Sequence, residues 1–387
     1  VKKLGAHSRR HERDIVLKLP RYAALTSVVI AGALALSACG SDNNDASGSS
    51  TSSDSGSSVS GTLNGEGSTA QKNAIEQAIS TFGDANPDAT VNYNADGSGA
   101  GVKQFNAKQV DFAGSDSPLT TEAVAGVPAE SETAKTRCGG NDAWNLPMAI
   151  GPIAVAYNLP GIDKLVLTPA VTAQLFLGKI TTWNDPAIAK LNPGVKLPAT
   201  KISVFFRSDE SGTTQNFEKY LQGASPSDFT DAPAKTWPGK VGEGREKSDG
   251  TSAGVKSTVG GVTYVEWSYA RDNKLGVAQI DNGSGAVELT ADSASKAIAA
   301  ATIVGTGNDL TLKLEYATKT AGVYPIVLAT YEIVCSKGLD ADKTKLLKAF
   351  LTSYSSTATQ TGLESIGYAP LPAEIQTKVT AAIAAIS

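Results

Sequence analysis

Phe206-Arg207-Ser208-Asp209-Glu210-Ser211-Gly212-Thr213-Thr214 is the stretch on which the reading of this chain turns. The run Ile202 to Phe206 before it has the composition of a strand, and Phe217, Tyr220 and Leu221 after it have helical spacing. It is therefore a strand-to-helix turn built from Ser, Gly and Thr, with an arginine at its entrance. Two further segments share the design. In Leu63-Asn64-Gly65-Glu66-Gly67-Ser68-Thr69-Ala70-Gln71, Ser68 and Gln71 have capping-box spacing. In Val91-Asn92-Tyr93-Asn94-Ala95-Asp96-Gly97-Ser98-Gly99-Ala100-Gly101, a strand runs into a glycine-rich turn. Helix N-termini present unpaired N–H groups and partial positive charge, and glycine lets an anion approach the backbone. One such turn is an ordinary N-cap. Three of them, one carrying Arg207, make a candidate oxyanion site.

Outward from these turns the pattern stays mixed. Val110 to Ala113, Pro152 to Tyr157 and Ile326 to Val334 read as strands. Ala74, Ile75, Ala78, Ile79 and Phe82 have helical spacing, as do Leu346, Leu347, Phe350 and Leu351. Strands alternating with helices predict an α/β class. With 387 residues, 41% of them hydrophobic and 19% charged, the chain can bury a sizeable core, which excludes disorder throughout, collagen and a multi-span membrane protein.

The first 38 residues read as a leader. Ala23 to Ala38 is uncharged, follows Lys18 and Arg21, and is too short to cross a bilayer, which is the pattern of a signal-peptide h-region. Leu36-Ser37-Ala38-Cys39-Gly40 resembles the lipobox of bacterial lipoproteins, whose cysteine is acylated and becomes the mature N-terminus. Residues 39–60 are then expected to be the lipidated Cys39 and a flexible Ser/Gly-rich tether. Removing the leader takes seven basic residues with only Glu12 and Asp14, so the formal charge falls from −4 to −9, and an acidic body argues against nucleic acid as partner. It also removes both histidines, His7 and His11. Export leaves Cys138 and Cys335 as an even pair in an oxidising compartment, where a disulfide is expected over two buried thiols.

Several chemistries fail on these residues. Gly97 to Gly101 lacks the spacing of a dinucleotide fingerprint, and no P-loop appears. A Ser-His-Asp hydrolase or a histidine-based zinc site needs a histidine that the mature chain lacks. Neither metal nor cofactor is expected.

Laid in order, the turns resemble those of the PstS family, the phosphate-binding proteins of high-affinity phosphate ABC transporters. The resemblance covers nearly everything after the tether. It is most specific in VNYNADGSGAGVKQF (91–105), VDFAGSDSPLT (110–120), LGKITTWNDPAIAKLNPGVKLP (177–198), VFFRSDESGTTQNFEKYL (204–221) and YVEWSYA (264–270). It implies that phosphate is held by Ser68, Thr69, Ser98, Asp116, Arg207, Ser211, Gly212 and Thr213, with Asp209 orienting the arginine. Ala70 departs from the aromatic residue that many relatives carry after the first turn.

The resemblance further implies a type II periplasmic-binding-protein (Venus flytrap) fold, in which two α/β lobes, each a mixed sheet flanked by helices, close on the ligand about two crossover segments. The crossovers are expected near Ile150–Ile153 and Tyr324–Ile326, giving lobe I as 61–150 plus 325–387 and lobe II as 151–324. The expected function is an exported, lipid-anchored, monomeric receptor on the outer face of the cytoplasmic membrane. It would deliver inorganic phosphate to membrane permease subunits of an ABC transporter and would not be an enzyme. Two rivals stay open: a receptor for another oxyanion such as sulfate or molybdate, and a secreted phosphatase using a serine such as Ser211.

Overall fold

The computed structural model describes residues 59–124 and 126–387. The expected leader, the lipidated Cys39 and most of the tether lie outside the described residues.

The architecture is α/β and two-lobed. Its backbone is a nine-stranded mixed sheet in the spatial order Ala89–Ala95, Gly61–Gly67, Phe112–Ser115, Val327–Cys335, Ala143–Tyr157, Gly261–Glu266, Ser203–Arg207 and Glu243–Arg245, with Gly276–Val277 pairing to Ala143–Tyr157 off this path. Gly61–Gly67 runs parallel to both of its neighbours, and Ser203–Arg207 runs parallel to both of its own. The two parallel groups are joined through antiparallel central strands. Ala143–Tyr157 serves both sides. It pairs with Val327–Cys335 up to Pro152 and with Gly261–Glu266 from Ile153 onward.

Burial follows from position in the sheet. Gly61–Gly67 alternates along much of its length, whereas Val327–Cys335 is buried at every position, as a strand covered on both faces must be. The long central strand exceeds the expected Pro152 to Tyr157 because Pro147, a residue that breaks interior strands, is absorbed at a register shift opposite Thr330 and Tyr331. The helix Lys72–Ala85 buries Ala74, Ile75, Ala78 and Phe82, the face its spacing predicts.

One correction falls at the first turn. The helix begins at Lys72 with Gln71 as N-cap and no side-chain cap, so the expected capping box between Ser68 and Gln71 does not form. The Gln71 amide has better partners in the interior. It donates to Tyr93 Oη and Glu332 Oε1, both at 3.0 Å, and accepts from Thr330 Oγ1.

A single apolar core runs from Leu63 and Phe82 through the central strands to Phe217 and Tyr264. A smaller cluster of Val102, Phe105, Ala113, Leu119, Ala134, Cys138, Ile333 and Cys335 lies apart from it. There Cys138 and Cys335 are bonded, with 5.5 Å between their Cα atoms.

Candidate anion-binding cleft

Ligands of open α/β sheets bind beyond the carboxyl ends of parallel strands, and every expected ligand residue sits at such an end. Gly61–Gly67 runs into Ser68 and Thr69, Ala89–Ala95 into Ser98, Phe112–Ser115 into Asp116, and Ser203–Arg207 ends on Arg207 ahead of Ser211. Ser68, Thr69, Ser98, Asp116, Arg207, Ser211 and Thr213 are all buried.

The hydroxyls converge on Asp116. Ser68 Oγ donates to Asp116 Oδ1, and Thr213 Oγ1 donates to Oδ2 at 3.1 Å. Ser98 Oγ lies 3.5 Å from Oδ2 and accepts from the Asp116 N–H at 3.2 Å. The turns at Ser68, Ser98 and Thr213 thus meet at one carboxylate although they come from three separate strand ends. Burial is the main influence on Asp116 and raises its carboxyl above the ordinary value, against the hydrogen bonds of Ser68 and Thr213 and the charge of Arg207.

Arg207 enters from the other side. Its Nε donates to Asp209 Oδ1 at 2.7 Å and its Nη2 pairs with Oδ2, so one edge of the guanidinium is fixed in a bidentate fork. Burial alone would raise the Asp209 carboxyl, but the Arg207 bonds and charge, together with the Lys247 N–H at 2.9 Å, hold it below its ordinary range. Lys247 adopts φ 63°, an uncommon conformation for a residue other than glycine.

The third turn folds as its composition dictates. Ser211 is the N-cap of the helix Gly212–Ala224, and its Oγ accepts from Thr214 N at 3.2 Å. A side chain at Gly212 would stand 2.7 Å from Ser98 Oγ and 2.8 Å from Asp116 Cβ, so only glycine allows this helix to approach the opposite wall. Gly97, at φ 103°, is the N-cap of the helix Ser98–Asn106, and the Gly99 N–H crosses the cleft to Glu210 O at 3.0 Å.

The structure adds residues that the sequence analysis missed. Ser248, in the first turn of the helix Lys247–Ser257, contacts Thr69 Oγ1 at 2.8 Å and lies 3.5 Å from Arg207 Nη1. Thr69 therefore faces Ser248, not Asp116. The signal was present, since Arg245 to Gly250 repeats the pattern of a strand end, a serine and a glycine at a helix start. Asn216 donates to the Asp116 carbonyl at 2.8 Å, and Tyr264 Oη accepts from Arg207 N at 3.2 Å.

The PBP superfamily domain matches residues 52–356 of the chain. Phosphate-binding protein PstS 3 of Mycobacterium leprae is 47% identical over 379 residues, covering 96% of this chain and 100% of that protein. Its Mycobacterium tuberculosis counterpart, also named PstS 3, is 46% identical over 379 residues with the same coverage. The chain belongs to the PstS family of phosphate-binding proteins.

Among solved structures, a high-affinity periplasmic phosphate-binding protein bound with phosphate shares the fold, with a TM-score of 0.66 at 22% identity over 83% of this chain and 93% of that one. Within this PstS-family chain, charged pairs border the cleft on both flanks. Lys103 meets Glu210 at 2.7 Å, Lys72 meets Asp249 at 3.4 Å, and Lys247 pairs with Asp96. The described residues contain no helix long and apolar enough to cross a membrane and no cluster of side chains suited to a metal.

Proposed function

We propose that the chain is an extracytoplasmic receptor that binds inorganic phosphate in this cleft and delivers it to the permease subunits of a phosphate ABC transporter, without bond chemistry of its own. The leader and lipobox at Cys39 support export and anchoring on the outer face of the membrane, and in this reading the tethered receptor acts as a monomer. Family membership and the relatives' names support the ligand. In this reading the ligand contacts are Ser68, Thr69, Ser98, Asp116, Arg207, Ser211, Gly212 and Thr213. Lobe I comprises 61–150 with 325–387 and lobe II comprises 151–324, with the crossover where Ala143–Tyr157 changes partner and Ile153 N donates to Ile326 O at 2.8 Å.

The observation that carries the proposal is the buried Asp116 carboxylate set among hydroxyl donors opposite an arginine. An ionised carboxylate only accepts hydrogen bonds. Phosphate near neutral pH keeps at least one P–OH to give it, whereas sulfate brings an oxygen against an oxygen. A site built around a ligand hydrogen rejects an analogue lacking it by roughly 10⁴-fold. A phosphatase using Ser211 would need a general base, and no histidine follows His11.

Calorimetric titration of the soluble mature chain with phosphate, arsenate and sulfate tests the reading. Phosphate binds one to one, thousandfold excess sulfate barely competes, and Asp116→Ala loses most phosphate affinity. Because the Asp116 carboxyl is shifted upward, the rejection of sulfate weakens as pH is lowered into the acidic range. Equal competition by sulfate at neutral pH would replace phosphate with a general oxyanion as the ligand.

A further inference from the structure

Three consecutive carbonyl oxygens of the first turn each receive a tyrosine hydroxyl. Tyr93 Oη donates to Ser68 O at 2.9 Å, Tyr269 Oη to Thr69 O at 2.7 Å, and Tyr368 Oη to Ala70 O at 2.6 Å. The tyrosines lie 25, 200 and 298 residues from their acceptors, so three separate parts of the chain converge on one turn. A trans peptide is planar and its C=O and N–H point in opposite directions. Pinning the carbonyls of Ser68, Thr69 and Ala70 therefore fixes the N–H directions of Thr69, Ala70 and Gln71. The Ala70 N–H meets Ser68 Oγ at 3.0 Å, and those of Thr69 and Gln71 are the donors a helix N-terminus offers to an anion.

We infer that Tyr93, Tyr269 and Tyr368 are positioning residues that aim the N–H groups of the Ser68–Gln71 turn at the anion, and that Tyr269 makes this aim depend on closure of the lobes. The inference rests on the phosphate-receptor reading and extends it to residues that do not touch the ligand. Tyr93 and Tyr368 belong to the lobe that carries the turn. Tyr269 stands on the helix Trp267–Asp272, which follows the lobe II strand Gly261–Glu266, so its bond to Thr69 spans the lobes. Its neighbours extend the same seam. Asn73 donates to Ser268 Oγ at 2.8 Å and to Asp272 at 3.3 Å.

All three hydroxyls remain donors. Burial raises each phenol above its ordinary value, and nearby acids add to the effect: Glu332 and Asp116 at Tyr93, Asp249 and Glu266 at Tyr269, and Glu266 at Tyr368. Each hydroxyl meets a different carbonyl of the turn, and of the three carbonyls Thr69 O also accepts from the Lys72 N–H at 3.3 Å.

The Tyr269 bond exists only while the lobes are closed, a form that the ligand-free chain also samples and that phosphate stabilises. Its loss therefore speeds release, leaves capture by the open form unchanged and loosens the turn whenever the ligand-free chain closes. In Tyr269→Phe, stopped-flow measurement is expected to show phosphate dissociating about fivefold faster, the effect of one net hydrogen bond, with the association rate within twofold of wild type. In Tyr368→Phe, the same-lobe partner is lost in open and closed forms alike, and affinity falls without that selective effect on release. Amide hydrogen exchange of the ligand-free proteins supplies a readout independent of phosphate. The segment 68–72 exchanges faster in Tyr269→Phe than in wild type, while the core strands keep their protection. Unchanged dissociation together with unchanged exchange at 68–72 overturns the inference. A wild type that binds no phosphate, yet shows the exchange difference, overturns the receptor reading and leaves the cradle standing.

Discussion

Arg207 is buried with one edge of its guanidinium already committed to Asp209, and Nη1 is left toward Ser248 Oγ at 3.5 Å. The fork has two effects: it neutralises the buried charge, and it fixes the plane in which the remaining N–H groups can meet a tetrahedral anion. Lysine would keep the charge and lose both the Asp209 fork and the plane. Arg207→Lys is therefore expected to weaken phosphate binding by about 1–3 kcal/mol, seen as a raised Kd in titration. An unchanged Kd would remove Arg207 from the site. At this scale the sequence was informative where chemistry is local. Ser211, Gly212 and Thr213 could be read because an N-cap, a close-approach glycine and a hydroxyl follow one another in a turn. Ser248 stands in a turn of the same local pattern, Arg245 to Gly250, but its pairing with Thr69, 179 residues away, and the carbonyl partners of the three tyrosines are not written in any local stretch.

The helix Gly212–Ala224 shows what one element carries beyond its N-terminus. Its first turn faces the cleft, and further along the same helix Glu218 is wholly buried, with Oε2 accepting from Ala234 N at 2.7 Å and Oε1 without a partner. Burial, with a small addition from Asp231 and against the Ala234 bond, pushes its carboxyl up from the ordinary 4.5 to about 8. In that window the folded protein keeps a proton that the unfolded chain has lost. The stability tied to this group is thus complete below about 4.5 and is lost as pH rises through about 8. Glu218→Gln cannot ionise. Its unfolding free energy, read from denaturant titration, should gain on the wild type as pH rises from 6 to 8, at roughly 1.4 kcal/mol per pH unit at most, and a constant offset across that range would show that Glu218 does not titrate there. The element boundaries teach a related lesson. Apolar runs were readable as strands, but Pro147 hid the first half of Ala143–Tyr157, and the capping spacing of Ser68 and Gln71 was overridden by the buried partners of the Gln71 amide.

For the molecule as a whole, the disulfide and the cleft do different work. Cys138 caps the helix Glu130–Arg137 and Cys335 ends the strand Val327–Cys335, so both ends of the bridge lie in the proposed lobe I, while the 197-residue separation encloses all of lobe II. The bridge ties together the two passages of the chain through lobe I and leaves the hinge between the lobes free. It also reinforces the smaller apolar cluster, whose few buried side chains, Val102, Phe105 and Leu119 the bulkiest among them with Ile333, lie apart from the main core. In the chain-entropy account, closing so long a loop is worth about 5 kcal/mol, an upper figure because strain subtracts from it. The double variant Cys138→Ala/Cys335→Ala should therefore unfold at clearly lower denaturant concentration. It should still bind phosphate with a Kd near that of wild type, because the site is assembled at strand ends that the bridge does not touch. Loss of affinity at a temperature where the variant remains folded would mean that the bridge sets the relative position of the lobes, and that bridge and cleft do not divide the work in this way.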